Sequence, residues 1–237
     1  LVEEDELNYT DAQKQNMQAQ IDIVEVMAYY QLVTTFGNVP YSEALDSDNP
    51  SPAYDAQTEI YGDLMSRLNT AISNLDASAA GFSTSADVYY RGEVAGWQRF
   101  ANSLKVRMAM TVVDNPPSGI DPQAAVEDAL PNAFTSNDHN LALNFTSTPP
   151  HTNPVWEDVI QSGRDDFVPA NTLIDEMNNL NDPRRSIHFT TIGGQYEGGL
   201  YGAQNDYSNY SHIKGPLIEP DFEGLLLGYE EVEFLRA

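Results

Sequence analysis

The strongest constraint on this chain is a helical apolar repeat that fills its first half. From Tyr54 to Leu75 the residues Ile60, Leu64, Leu68, Ile72 and Leu75 recur almost unbroken at steps of four and three, the spacing that puts side chains on one face of an α-helix. A second run, Asp11 to Phe36, repeats the pattern with Met17, Ile21, Val24, Met27 or Ala28, Leu32 and Val33. Gly37-Asn38-Val39-Pro40 ends that run, and a Ser/Asp/Asn/Pro-rich stretch from Ser47 to Pro52 separates the two. A linker of this length lets two helices fold back as an antiparallel pair.

The pattern then recurs. Gly92 to Val113 carries Trp97, Ala101, Leu104 and Met108 one turn apart, and Asn115-Pro116-Pro117-Ser118-Gly119 stops it. Asp121-Pro122 reads as an N-cap followed by proline at the first helical position, opening a fourth helix with Ala125, Val126, Ala129 and Leu130. Two helical hairpins in succession predict a mostly α fold, an α-solenoid of irregular tetratricopeptide-like hairpins. The strict repeat consensus is absent.

After Asn132 the character changes. Short extended stretches (Leu141 to Phe145, Ile187 to Ile192) and two short helices (Pro154 to Gln161, Pro169 to Leu180) lead into the tract GGQYEGGLYGAQNDYSNYSHIKG, which lacks aliphatic periodicity and reads as an ordered functional loop or a mobile one. From Gly228 the helical period returns. The expected organisation is one domain over 1–237: a helical scaffold at 10–131, a loop-rich, ligand-facing segment with short strands at 132–227, and the start of a further scaffold helix at 228–237. Leu1 at the start and an uncapped closing helix lead to the expectation of a segment from a longer chain.

Charge narrows the partners. The 237 residues hold 36 acids against 11 bases, a net charge of −25, which repels phosphate backbones and anionic lipid surfaces and so speaks against nucleic acid. With no cysteine, these residues contain no disulfide framework, Cys-ligated zinc or thiol nucleophile. The four histidines (His139, His151, His188, His212) lack metal-ligand spacing, and neither an EF-hand loop nor a phosphate-binding glycine motif is present. The reading is therefore of no metal and no cofactor. Arg99, Lys105 and Arg107 share one helix and are expected to pair with neighbouring acids. With 36 acids, carboxylate pairs arise by chance, and no spacing singles out a catalytic one. No apolar run approaches the roughly 20 residues needed to cross a bilayer.

Five strings in order, TTFGNVPYSEAL (Thr34 to Leu45), YDAQTEIYGDLMSRLNTAISNLD (Tyr54 to Asp76), WQRFANSLKVRMAM (Trp97 to Met110), NDPRRSIHF (Asn181 to Phe189) and the closing YEEVEFLRA, resemble the SusD/RagB family. These are surface nutrient-binding lipoproteins of Bacteroidetes outer membranes. The resemblance implies a non-catalytic protein on the cell surface that captures oligosaccharides, or in some branches peptides, for a partner SusC-like TonB-dependent transporter. It also implies membrane attachment only through an upstream lipid-bearing cysteine, and a further helix pair beyond the closing string. An intracellular helical-repeat module that binds protein tails is the reading from another class.

Glycan capture needs aromatic faces for sugar rings, flanked by amides and carboxylates for hydroxyls. In the family the segment between the second hairpin and the helix before the DPR motif contributes to the binding face, which nominates Trp156, Arg164, Asp165 and Asp166. The tyrosine tract supplies a second set: Tyr196, Tyr201, Tyr207 and Tyr210, with Asn205 and Asp206 between them. The structural alternatives are that Trp156 anchors its short helix and that the tract is a packed flap. Trp97, on an apolar stripe, reads as core.

Overall fold

The computed structural model of the protein describes residues 9–237. The chain forms two compact units, one running up to Ala142 and including Leu225–Ala237, the other Leu143–Gly224.

In the first unit α1 covers Asp11–Phe36. It starts where the Thr10 Oγ1 accepts the Gln13 N–H and stops at Gly37, whose φ of 77° is a left-handed turn that glycine adopts without steric cost. α2 follows at Gln57–Asn74. The two are antiparallel because the start of α1 is tied to the end of α2. Buried Asn16 donates through Nδ2 to the carbonyls of Asp76, Ala79 and Ala80 at 2.9, 3.2 and 3.0 Å, and its Oδ1 accepts the Asp76 N–H at 2.7 Å. At the opposite end the Asp55 carboxylate accepts the N–H groups of Tyr41 and Ser42, both at 2.9 Å.

The buried face of α1 differs from the one its spacing predicts. Ile21 and Leu32 are 40% and 42% exposed, whereas Ala19, Ile23, Val26, Tyr30 and Val33 are buried together with Met17, Asn16 and Gln20. α1 carries apolar residues on more than one side, so periodicity alone leaves its rotation open. The contacts of Asn16 select the rotation, because a buried amide must keep its hydrogen-bond partners.

α3 (Val94–Thr111) is the centre of this unit, packed against α1, α2 and α4 (Pro122–Ala129) and against the closing α8 (Tyr229–Arg236). Trp97, Phe100, Leu104 and Met108 are all at most 3% exposed, each worth about 1.5–3 kcal/mol of apolar burial. Asp121 caps α4 as its sequence predicts, accepting the Ala124 N–H. Each basic residue of α3 meets an acid: Arg99 faces Glu93 at 3.8 Å, Lys105 faces Asp128 at 2.6 Å, and Arg107 forks onto Glu231 of α8 at 2.5 Å.

The second unit is built from short pieces. Asn153 caps α5 (Pro154–Trp156), which runs on as a single π turn over Glu157–Gln161; α6 spans Asn171–Asn179 and α7 Arg185–His188. Its small core is Ile174, Met177 and Phe189, with Tyr196 and Ile213 packed on it. The expected extended stretch from Ile187 is overturned at its start. The Asp182 carboxylate accepts the Arg184 N–H at 2.9 Å, and this turn launches α7 through His188. Extended pairing begins only at Phe189, opposite Ile213. β1 (Leu141–Leu143) and β2 (Gly224–Leu227) are hydrogen-bonded as a two-stranded sheet. Among the described residues no helix is long and apolar enough to cross a membrane.

Candidate functional site

The glycine-tyrosine tract is a pinned loop. Gly199 is buried, donates its N–H to the Pro169 carbonyl at 2.9 Å and accepts the Asn171 N–H at 2.7 Å. A Cβ at Gly198 would lie 2.6 Å from the Asn171 Cα, and one at Gly199 would lie 2.5 Å from a Val168 methyl. Only glycine lets the two strands approach this closely. The next turn is held by Asn205, whose Oδ1 accepts the Leu200 N–H at 2.8 Å while Nδ2 donates to the Leu200 and Ala203 carbonyls at 3.1 and 2.9 Å. Asn171 Oδ1 accepts the Tyr201 N–H at 3.0 Å. On this fixed backbone the Tyr201 side chain stands 77% exposed. A rigid loop that displays an exposed ring loses little entropy when the ring is covered by a ligand.

The segment that runs beside Gly199 continues back into the other candidate set. Arg164 donates through Nε and Nη2 to Asp166 at 2.9 and 2.6 Å, lies 3.6 Å from Asp158 of the π turn, and stacks over the Phe167 ring at 4.6 Å. The hydrogen bonds from Arg164 hold the Asp166 carboxyl below the usual carboxylate range. Arg164, Asp165, Asp166 and Phe167 are all exposed. Trp156 is half-buried on α5. There Asn153 fastens the chain, donating its N–H to the Pro220 carbonyl at 2.7 Å and its Nδ2 to those of Leu217 and Glu219 at 2.9 and 3.1 Å.

The other tyrosines of the tract are half-buried, and Asp206 is exposed. Tyr196 packs on the Ile174–Met177–Phe189 core beneath the Arg185 guanidinium, 5.3 Å from its ring. Tyr207 stacks on His212 with centroids 3.7 Å apart, and Asp206 caps the Tyr207–Asn209 turn. Tyr210 is half-buried. Asn205, with both amide atoms engaged by the loop, acts as a positioning residue. Sequence reasoning passed over Phe167 and Asn171; the aromatic following Arg164-Asp165-Asp166 was the available signal for the first, whereas the second shows only once the loops meet. Among the described residues no group of three His, Cys, Asp or Glu could hold a metal ion. The arrangement offers an aromatic face, a guanidinium and carboxylates, the means of non-covalent recognition.

A SusD-like family model, described as starch-binding and associating with the outer membrane, matches residues 1–237. The chain belongs to the SusD-like family. Its backbone is similar to that of a chitin-binding SusD homologue from Flavobacterium johnsoniae at 26% identity and a TM-score of 0.80, with 97% of this chain and 48% of that one covered. It is also similar to a SusD homologue from Bacteroides uniformis at 28% identity and a TM-score of 0.78, covering 92% and 46%. A further chitin-binding protein matches at 27% identity and a TM-score of 0.78, covering 96% and 52%. No curated protein matches the sequence. The SusD-like chain thus spans about half the length of these solved structures, and its helical, tetratricopeptide-like fold is the one its sequence predicts.

Proposed function

We propose that this SusD-like chain captures neutral oligosaccharides, without catalysis, on the face of its second unit that carries Tyr201. Capture serves delivery to a partner SusC-like TonB-dependent transporter at the outer-membrane surface. One observation carries the reading: Tyr201 is held fully displayed by Asn171, Asn205 and the glycine contact at Gly199, and an apolar sugar face stacks on such a ring. Arg164, Asp165 and Asp166, on the segment that leads to the Gly199 contact, are assigned as further ligand contacts, with the Arg164–Asp166 fork presenting donors and acceptors for hydroxyls, and Trp156 on α5 as a separate one. Support comes from the family's starch-binding description and from the chitin-binding relatives. The net charge of −25 favours an uncharged glycan over an anionic one.

Calorimetry with maltooligosaccharides and chitooligosaccharides tests it. Binding of at least one series is expected, weakened about tenfold by Tyr201→Ala. Failure of both series to bind, or a Tyr201→Ala variant that binds as the parent does, would overturn the assignment.

A further inference from the structure

The helix packing of the first unit leaves a polar cleft on α3. Its volume is about 420 Å³, within the range of small-molecule sites, about 300–1,000 Å³. Gln98, Arg99 and Asn102 line it together, because Asn102 lies four residues after the first and three after the second, the spacing of one helix face. Asn132 and Thr135, on the segment after α4, add further polar groups, and Ile72 of α2 and Pro131 add apolar surface. Among the described residues no acid lines it, in a chain that holds 36 of them.

The polar groups of the cleft are incompletely paired. Lys105 and Arg107 of the same helix, like Arg67, Arg164 and Arg184, each meet a carboxylate at 2.5–2.6 Å. Among the described residues Arg99 reaches only Glu93, at 3.8 Å, which is beyond hydrogen-bond length. An exposed ion pair of that kind contributes little, so the guanidinium fork is open. Asn102 is 5% exposed, and its Nδ2 donates to the Gln98 carbonyl at 2.8 Å. That leaves Oδ1, which no described group meets and which keeps accessible surface at the cleft. Gln98 is fixed in the same sense: Nε2 donates to the Leu75 carbonyl at 2.8 Å, and Oε1 is the open end. The cleft thus offers one cationic fork beside two amide acceptors.

We propose that this cleft binds a monocarboxylate that carries several hydroxyl donors, the chemistry of a sugar acid such as a uronate. The carboxylate takes the Arg99 fork in two parallel N–H···O bonds, and hydroxyls donate to Asn102 Oδ1 and Gln98 Oε1. Sulfate, which only accepts, would leave both amide oxygens without a donor; a neutral sugar would leave the fork unfilled. An acylated amino acid brings one N–H for two acceptors. The net charge of −25 does not oppose this at close range, because remote charges are screened beyond about 8 Å at physiological ionic strength. None of these residues belongs to the Tyr201 face.

NMR of the ¹⁵N-labelled chain reads the site directly through the Arg99 Nε–H and Asn102 side-chain amide signals. Glucuronate should move both saturably, with an affinity about tenfold or more above that of glucose, acetate or N-acetylglycine. Arg99→Gln should weaken the Asn102 response about tenfold, and since Arg99 makes no close bond in the fold, this variant should melt as the parent does. Arg99→Lys, which keeps the charge and loses the fork, should bind less tightly than the parent, whereas Tyr201→Ala should bind equally well. Absence of a saturable shift would overturn the proposal. So would an equal response to glucose, acetate, sulfate or N-acetylglycine, or a response that Arg99→Gln leaves unchanged.

Discussion

The Asp87 carboxylate accepts the Trp97 indole N–H at 2.8 Å inside the core of the first unit, across ten residues of chain. The same side chain takes the N–H groups of Tyr89, Tyr90 and Gly92 at 3.1, 3.0 and 2.9 Å. It thereby organises the turn that launches α3. Asp87→Ala would leave an indole and three amides without an acceptor, and we expect a loss of about 3–5 kcal/mol in denaturant unfolding, with Trp97 fluorescence as the probe. A loss under about 1 kcal/mol would show that these donors find other partners.

The rotation of α1 is testable by a pair of substitutions. Ile23 is fully buried and Ile21 is 40% exposed. Ile23→Ala should therefore lower stability by about 2–5 kcal/mol and Ile21→Ala by less than about 1 kcal/mol. The reverse order would restore the face that periodicity alone predicts.

Asn205 positions Tyr201 through the loop. In Asn205→Ala the three bonds to Leu200 and Ala203 are lost, and amide hydrogen exchange at Leu200 and Tyr201 should quicken about tenfold or more with little change in global melting. Oligosaccharide affinity should fall in step. Unchanged exchange would mean that Asn171 and the Gly199 contacts suffice.

At high pH, Tyr41 should govern part of the stability. Its hydroxyl is pushed up to about 12, first by burial and then by donation to the Asp63 carboxylate. An unfolded tyrosine ionises near 10, so the folded state favours the neutral phenol. The contribution is complete below pH 10 and is lost as pH rises through 12. Tyr61 and Tyr90 shift in the same direction, chiefly by burial. Because Tyr41 is partly exposed, its share is well below what the shift alone implies. Urea titrations across this range should show a shallower alkaline decline in Tyr41→Phe than in the parent; identical slopes would refute the assignment.

At low pH, Asp182 is the corresponding group. Hydrogen bonds from the Arg184 side chain, and then its backbone N–H, hold the carboxyl at about 2. The sign is opposite to that of Tyr41: stabilisation is present above the unfolded value of 3.8 and disappears as pH falls through 2. Carboxyl NMR titration should place Asp182 below the exposed aspartates, and Arg184→Ala should move it back toward the usual range. An unmoved value in that variant would point to a different cause.

Much of the scaffold was legible because its signals are local. The Ile60–Leu64–Leu68 stripe, the Asp121-Pro122 helix start and the glycine stop after Phe36 act within a few residues, and the helices form where those signals stand. The second unit was harder to read, since turns rather than periodicity shape it: the Asp182 turn launches a helix that takes in Ile187 and His188, the first two residues of a stretch that reads as extended.

By itself the sequence determined the helical hairpins, the acidic surface that disfavours nucleic acid, and a tyrosine-rich tract without core-forming periodicity. Tertiary structure decided which face of α1 is buried and which tyrosine is displayed. Tyr196, Tyr201, Tyr207 and Tyr210 look alike in the chain, yet only contacts with distant segments, such as Asn171 lying thirty residues before Tyr201, leave Tyr201 exposed while the others are half-buried. Periodicity reports the faces a helix could bury, and composition reports the rings a loop could show. The choice between them rests on hydrogen bonds and close backbone approaches that exist only after the chain has folded.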